Sequence, residues 1–108
     1  MAELINVTED TFQEEVISSI YPVLVDFSAV WCGPCKMLDP VVKQLAVEWD
    51  GKVKVVKIDA DANPNILMKY GVLGIPTLLF FKGGEIQERI TGYLPKDKLV
   101  AKFSPHFN

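Results

Sequence analysis

Residues 23–29 carry Val23, Leu24, Val25, Phe27 and Ala29, apolar on both sides of a strand's two-residue alternation, and run almost directly into Trp31-Cys32-Gly33-Pro34-Cys35-Lys36. A strand of this kind has to be covered on both faces, which is the position of an inner strand in a layered α/β domain. A helix comes next. It is expected to start near Cys32, with Pro34 in the first turn, where a missing N–H leaves no bond unmade. Cys35, Leu38, Val42, Leu45 and Trp49 then recur at spacings of three and four, which places them on one buried stripe. Gly51 is the expected stop, and Pro40 is expected to kink the helix because its ring removes the bond to the carbonyl four residues back.

Turn signals divide the rest of the chain into similar segments. Residues 4–7 read as a short strand. Thr11-Phe12-Gln13-Glu14 is a capping-box pattern, opening a helix in which Phe12, Val16 and Ile20 share a face and which Tyr21-Pro22 ends. Residues 53–58 form the next strand, after which Asn63-Pro64 caps a short helix that Gly71 terminates. Residues 77–81 and 86–90 flank Gly83-Gly84, a hairpin signal that makes this end of the sheet antiparallel. A helix over 95–103 closes the chain. The order β-α-β-α-β, then α-β-β-α, predicts an α/β three-layer sandwich: a mixed sheet of about five strands flanked by about four helices.

No repeat or linker divides the 108 residues, so 1–108 reads as a single domain. With 49% hydrophobic and 23% charged residues, the chain can build a core without a disulfide framework. Two cysteines are too few for such a framework in any case. The net charge of −3 comes from interleaved acids and bases with no basic block, which argues against nucleic acid as a partner. The most apolar stretch, 71–81, is broken by Gly74, Pro76 and Thr77 and is too short to span a bilayer, so no membrane role is expected. Met1-Ala2-Glu3-Leu4 lacks the basic and apolar regions of a secretory leader, which makes the cytoplasm the expected compartment.

Both cysteines lie three residues apart where the buried strand feeds a helix N-terminus. The first N–H groups of a helix have no intrahelical partners and carry partial positive charge, so a thiolate at Cys32 gains about 0.3 to 2 kcal/mol there, and Lys36 adds to it. Cys32 is therefore the expected nucleophile. Cys35, one turn further on and in the apolar stripe, is expected in a drier place and suits the resolving role. In this reading Cys32 forms a mixed disulfide with a substrate and Cys35 attacks Cys32 to release it. Rival chemistries lack residues. Zinc wants four ligands, and besides the two cysteines the one histidine is His106, which reads as an exposed tail residue without a partner. Covalent haem needs a histidine where Lys36 stands, and an iron–sulfur cluster needs about four cysteines. No bound metal or cofactor is expected.

Asp26 is a carboxylate inside the apolar strand, six residues before Cys32. Burial raises an acid's pKa toward neutrality, and a group poised there could take the proton from Cys35. The other readings are that Asp26 faces a solvent gap or pairs with Lys57, at the end of the next strand, which would tune it by charge. Ile75-Pro76-Thr77 immediately precedes a buried strand and reads as an X-Pro turn, with either isomer open at this point.

With Asp26-Phe27, Ala29, Trp31-Cys32-Gly33-Pro34-Cys35-Lys36, Pro40, Lys57, Ile75-Pro76-Thr77, Gly84 and Gly92 in this order and spacing, the chain resembles the thioredoxin family over essentially its whole length. The resemblance implies the thioredoxin-like form of the three-layer sandwich and the activity of a general protein-disulfide reductase and electron carrier in cell redox homeostasis. It implies a cis bond at Ile75-Pro76, a redox poise set by Gly33 and Pro34, and a substrate rim formed by Trp31, Gly74, Ile75, Pro76 and Gly92. There the backbone would pair with an extended client segment. The implied partners are a thioredoxin reductase, drawing on NADPH or ferredoxin, and client disulfides of the kind found in peroxiredoxins, methionine sulfoxide reductases and ribonucleotide reductase. A monomer is expected. Two positions depart from the pattern: many bacterial relatives have Trp where this chain has Ser28, and relatives often carry a neutral residue at Asp39. The first is expected to loosen the active turn or admit water toward Asp26. The second would disfavour a Cys35 thiolate if it points inward. A thiol oxidase or isomerase, and a redox-indifferent docking module, are the competing functions.

Overall fold

The structure is a computed structural model that describes residues 4–107; residues 1–3, on which most of the leader reading rests, and residue 108 lie outside the described residues. Five strands, β1 (Ile5–Val7), β2 (Val23–Ser28), β3 (Lys54–Asp59), β4 (Thr77–Lys82) and β5 (Glu85–Thr91), form one sheet in the order β1-β3-β2-β4-β5. β3 runs parallel to both β1 and β2, whereas β4 is antiparallel to β2 and β5, so the sheet is mixed. β2 lies in the middle and every one of its six residues is buried, as its two-sided apolar pattern requires.

The alternation along β2 sorts its side chains between two cores. Leu24 packs with Val55, Leu78 and Phe80 under α1 (Gly33–Glu48) and α3 (Lys96–Phe103), which contribute Leu38, Val42, Leu45, Leu99 and Phe103. Val23, Val25 and Phe27 pack on the opposite face with Val56, Ile58 and Phe81, beneath Phe12 and Val16 of a helical segment near the N-terminus and Ile66 of α2 (Pro64–Lys69). This is the three-layer α/β sandwich expected from the sequence. α1 runs unbroken through Pro40, whose missing N–H leaves the Lys36 carbonyl without its intrahelical donor.

Four local readings differ from what forms. The first helix, Gln13–Ile17, is π-type: Ser18 N–H donates to the Gln13 carbonyl five residues back. It ends at Ile17, with Ser18 as its C-cap, well before the expected stop at Tyr21-Pro22; Ile17 joins the core cluster, whereas Ile20, three residues past the end, is 91% exposed. The capping box does not form there, because Thr11 Oγ1 turns back to accept from Thr8 N–H at 2.9 Å. Asn63 precedes α2 but makes no side-chain cap; its Oδ1 accepts from Glu9 N–H and its Nδ2 donates to the Asp59 carbonyl, tying together the loops after β1 and β3. His106 is no free tail: it sits in a closing 3₁₀ turn, its ring 6.0 Å from that of Phe80 and its Nε2 3.7 Å from Glu88 Oε2.

The β4–β5 hairpin turns at Gly83 (φ 60°) and Gly84 (φ 81°), both in the left-handed region that a two-residue turn of this kind requires. A Cβ at Gly83 would meet nothing within 4 Å, but one at Gly84 would lie 3.1 Å from Ile17 Cγ2 and 3.3 Å from the Ile17 carbonyl oxygen. Gly83→Ala is therefore expected to cost about 1–2 kcal/mol through backbone strain alone, and Gly84→Ala about 1 kcal/mol or more beyond that. Urea unfolding of the two variants checks the ordering, and equal losses would show that the Ile17 contact carries no cost.

Candidate active site

The chain leaves β2 at Ser28 and turns at once, with Cys32 N–H donating to the Ala29 carbonyl at 3.2 Å. Cys32 takes the extended backbone of an N-cap (φ −89°, ψ 116°), and its Sγ accepts the N–H of Cys35 at 3.2 Å. A sulfur thus stands where a serine or aspartate oxygen usually caps a helix, at the positive end of the 16-residue α1. Gly33 and Pro34 form the first turn between the cysteines, and a Cβ at Gly33 would meet nothing within 4 Å, so the space in front of the pair is open. Cys32 and Cys35 are joined as a disulfide, with Cα atoms 5.2 Å apart. Exposure does not separate them, since both residues are buried to within a few per cent. Their surroundings do: Cys35 borders a pocket of about 470 Å³ that it shares with Ser28, Lys36, Asp39, Lys57 and Asp59. The small side chain of Ser28 helps to line that pocket.

Asp26 lies on the α1 face of β2, in register with Lys57 of β3 on one side and Leu78 of β4 on the other. It is 1% exposed, and its Oδ1 has no hydrogen-bond partner among the described residues. Burial pushes its carboxyl up to about 7; the charge of Lys57 pulls against this and that of Asp39 reinforces it. Lys57, however, is not bonded to Asp26. Its Nζ donates to Asp39 Oδ1 at 2.9 Å, while Lys43, one turn further along α1, reaches Asp39 Oδ2 at 3.0 Å. For Asp39 partial burial acts upward, but hydrogen bonds from and the charges of the two lysines outweigh it and hold this carboxyl below the usual aspartate value. Asp39 therefore points inward to the pocket that Cys35 borders, as one of the two sequence readings had it.

Beside the disulfide, Trp31 is 65% exposed yet fixed, because its Nε1–H donates to Asp61 Oδ2 at 2.7 Å. Trp31, Gly74 and Ile75 line one shallow depression together with Leu73, whose side chain is fully exposed. The Ile75–Pro76 bond is cis, and Gly92 N–H donates to the Pro76 carbonyl at 2.8 Å, which brings the two ends of the rim together. Ile75 also packs against the cluster of Ala29, Cys32 and Cys35. Lys57 thus reaches the disulfide through the pocket that Cys35 borders, and the rim reaches it through Ile75, while Asp26 stands in register with Lys57 and His106 lies apart, against Phe80 and Glu88. Two residues that the sequence did not point to also join the site: Asp61, which orients Trp31, and Leu73, whose only sequence signal is a large apolar residue beside a glycine in a turn. No group of three or more metal-ligating side chains occurs among the described residues, and no helix is long and apolar enough to cross a membrane.

Comparison with known proteins agrees with this geometry. The thioredoxin family model matches residues 3–104. The chain is 46% identical over 106 residues to a protein of Nostoc sp. named Thioredoxin 1, covering 98% of this chain and 99% of that one. It is 50% identical over 95 residues to a thioredoxin of Rickettsia felis, covering 88% and 90% of the two chains. A thioredoxin of Allochromatium vinosum is 49% identical over 98 residues, covering 91% and 92%.

Proposed function

The chain belongs to the thioredoxin family, and from that premise we propose how the residues around its redox-active disulfide divide the work. The protein is a dithiol–disulfide redox carrier with protein-disulfide reductase activity. In the reduced protein Cys32 is the nucleophile: its thiolate attacks one sulfur of a client disulfide, forms a Cys32–client bond and expels the other client sulfur as a thiolate, which takes up a proton. Cys35 then gives its proton to the Asp26 carboxylate and attacks Cys32 Sγ, breaking the Cys32–client bond, and the second client sulfur leaves as a thiolate that likewise takes up a proton. Two electrons and two protons pass to the client, and Cys32 and Cys35 end as a disulfide.

The observation that carries this assignment is the Cys35 N–H aimed at Cys32 Sγ at the N-terminus of α1, which favours negative charge on that sulfur and not on the other. Asp26 suits the proton transfer because a carboxyl near 7 exchanges its proton readily at neutral pH. Lys57 tunes Asp26 by its charge, and Gly33 and Pro34 set the redox poise. Trp31, Gly74, Ile75, Pro76 and Gly92 form the rim on which an extended client segment adds as a strand. Backbone bonds there give affinity while demanding little of the client's sequence.

The finer expectations come from the family. Residues 1–108 act as one monomeric domain in the cytoplasm, with electrons arriving from NADPH or ferredoxin through a thioredoxin reductase. Clients are proteins such as peroxiredoxins, methionine sulfoxide reductases and ribonucleotide reductase. The first test is the reduction potential of the Cys32–Cys35 pair, measured by equilibration in graded thiol buffers with trapping of free thiols. A value near about −270 mV is expected of a reductase; one above about −200 mV would assign the protein to oxidase or isomerase work instead.

A further inference from the structure

We infer that Asp39 is a positioning residue for the proton-transfer step: it captures Lys57 in an ion pair and so withholds from the buried Asp26 carboxyl the cation that stands beside it in the sheet. The two candidates for Lys57 Nζ lie on either side of it. Asp26 is its register partner on β2 and shares the α1 face of the sheet, while Asp39 comes down from α1. Lys57 Nζ is 2.9 Å from Asp39 Oδ1, and Asp26 Oδ1 is left buried without a hydrogen bond. Lys43 anchors the other oxygen of Asp39 at 3.0 Å, so the carboxylate is held from both ends in the place where it competes for Lys57.

Solvation decides the choice. Asp39 and Lys57 keep about a quarter and a third of their side chains exposed, so water still screens and hydrates their pair. An ion pair at Asp26 would need a charged carboxylate in a nearly dry site, where desolvation is several-fold more costly. Among the described residues, Lys57 and Asp39 are the charges that act on Asp26. Of the elements packed on that face, α1 also carries Lys36, Lys43 and the Cys35 thiol of the reduced protein, β3 ends in Asp59, and β4 places the apolar Leu78 in register. Among the described residues Lys57 is thus the cation in register beside Asp26, and Asp39 decides where it points. By the charge that Lys57 withholds and by its own like charge, Asp39 keeps Asp26 protonated to higher pH.

The consequence for turnover rests on the proposed proton transfer by Asp26, but the capture itself can be read without it. The experiment tracks the Asp26 carboxyl carbon by NMR against pH in the oxidised protein, where no thiol titrates, for wild type, Asp39→Asn, Lys57→Met and the double variant. Asp39→Asn frees Lys57 to turn toward Asp26, and the Asp26 midpoint is expected to fall by about one pH unit or more. With Lys57 replaced by methionine, the same Asp39→Asn change is expected to lower the midpoint by less than half as much, since only direct repulsion is then removed. Asp39→Ala repeats the comparison without a residual amide. No movement in Asp39→Asn, or an equal fall in both backgrounds, would overturn the capture. The pH dependence of client reduction in the same four proteins then tests the other reading separately: a midpoint that moves as expected beside an unmoved activity profile keeps the capture and removes Asp26 from the proton transfer.

Discussion

Replacing Cys35 with serine is expected to stop the protein halfway through its reaction, bound covalently to the client through Cys32. The serine variant keeps the nucleophile and its helix N-terminus, so the first exchange proceeds, but the sulfur that would complete it is gone. Release must then wait for a thiol from solution. Positioned intramolecular groups act at effective concentrations of about 10⁵ M and upward, whereas external thiols are present at millimolar levels, so turnover should fall at least about 10³-fold. The adduct accumulates as a species of summed mass on non-reducing electrophoresis or in intact-mass spectrometry. Cys32→Ser should lose turnover as completely but trap nothing, since the thiol left at position 35 lacks the capping N–H. If Cys32→Ser trapped the client and Cys35→Ser did not, the two roles would have to be exchanged. If both turned over at wild-type rate, the disulfide would have no part in the reaction.

The parts of the fold that could be read in the sequence are those in which local chemistry and the wider structure agree. Residues 23–29 had one solution, a strand covered on both sides, and the strand–turn–helix at Cys32 carries its punctuation in Pro34. Gly83-Gly84 fixes a hairpin by backbone conformation alone. What could not be read depends on which of several partners a side chain takes. Thr11, Asn63 and Lys57 each had an obvious local or cross-strand partner, and each bonds elsewhere: to Thr8, to the loop holding Glu9, and to Asp39. Those choices are decided by distances across the fold and by the relative dryness of competing sites, neither of which has a sequence period. Ile20 shows the same limit at a helix end. The helix stops at Ile17, so Ile20 falls outside it, and nothing in the spacing of Phe12 and Val16 announces that early stop. At the active site, the cysteines, Asp26 and the rim were legible as residues, whereas Leu73 and Asp61 became visible only when the loops around Trp31 were placed together.

Asp26→Asn is expected to make the protein more stable, and more so as pH rises. A free aspartate ionises near 3.8, but in the folded chain this carboxyl holds its proton to about 7. Between those values the folded state binds a proton that the unfolded state has lost, so stability falls as pH rises through the window and levels off above it. At about 1.4 kcal/mol per pH unit, the fall attributable to Asp26 approaches roughly 4 kcal/mol. Asparagine fills nearly the same volume without a charge to desolvate. The variant and the wild type should therefore unfold in urea alike near pH 4, diverge as pH rises to about 7 and keep a constant difference above it, the variant remaining the more stable. A difference that is constant over the whole range would mean that packing, not ionisation, distinguishes the two side chains. The same substitution removes the proton acceptor proposed for Cys35, so client reduction should slow and lose its inflection near neutrality. Full speed across neutral pH would take Asp26 out of the mechanism while leaving the stability result intact. A chain that keeps a carboxyl in a site where ionisation destabilises it by several kcal/mol gives up stability at the position where proton exchange is needed. The larger the measured stability gain in Asp26→Asn, the stronger the case that this position is retained for its chemistry.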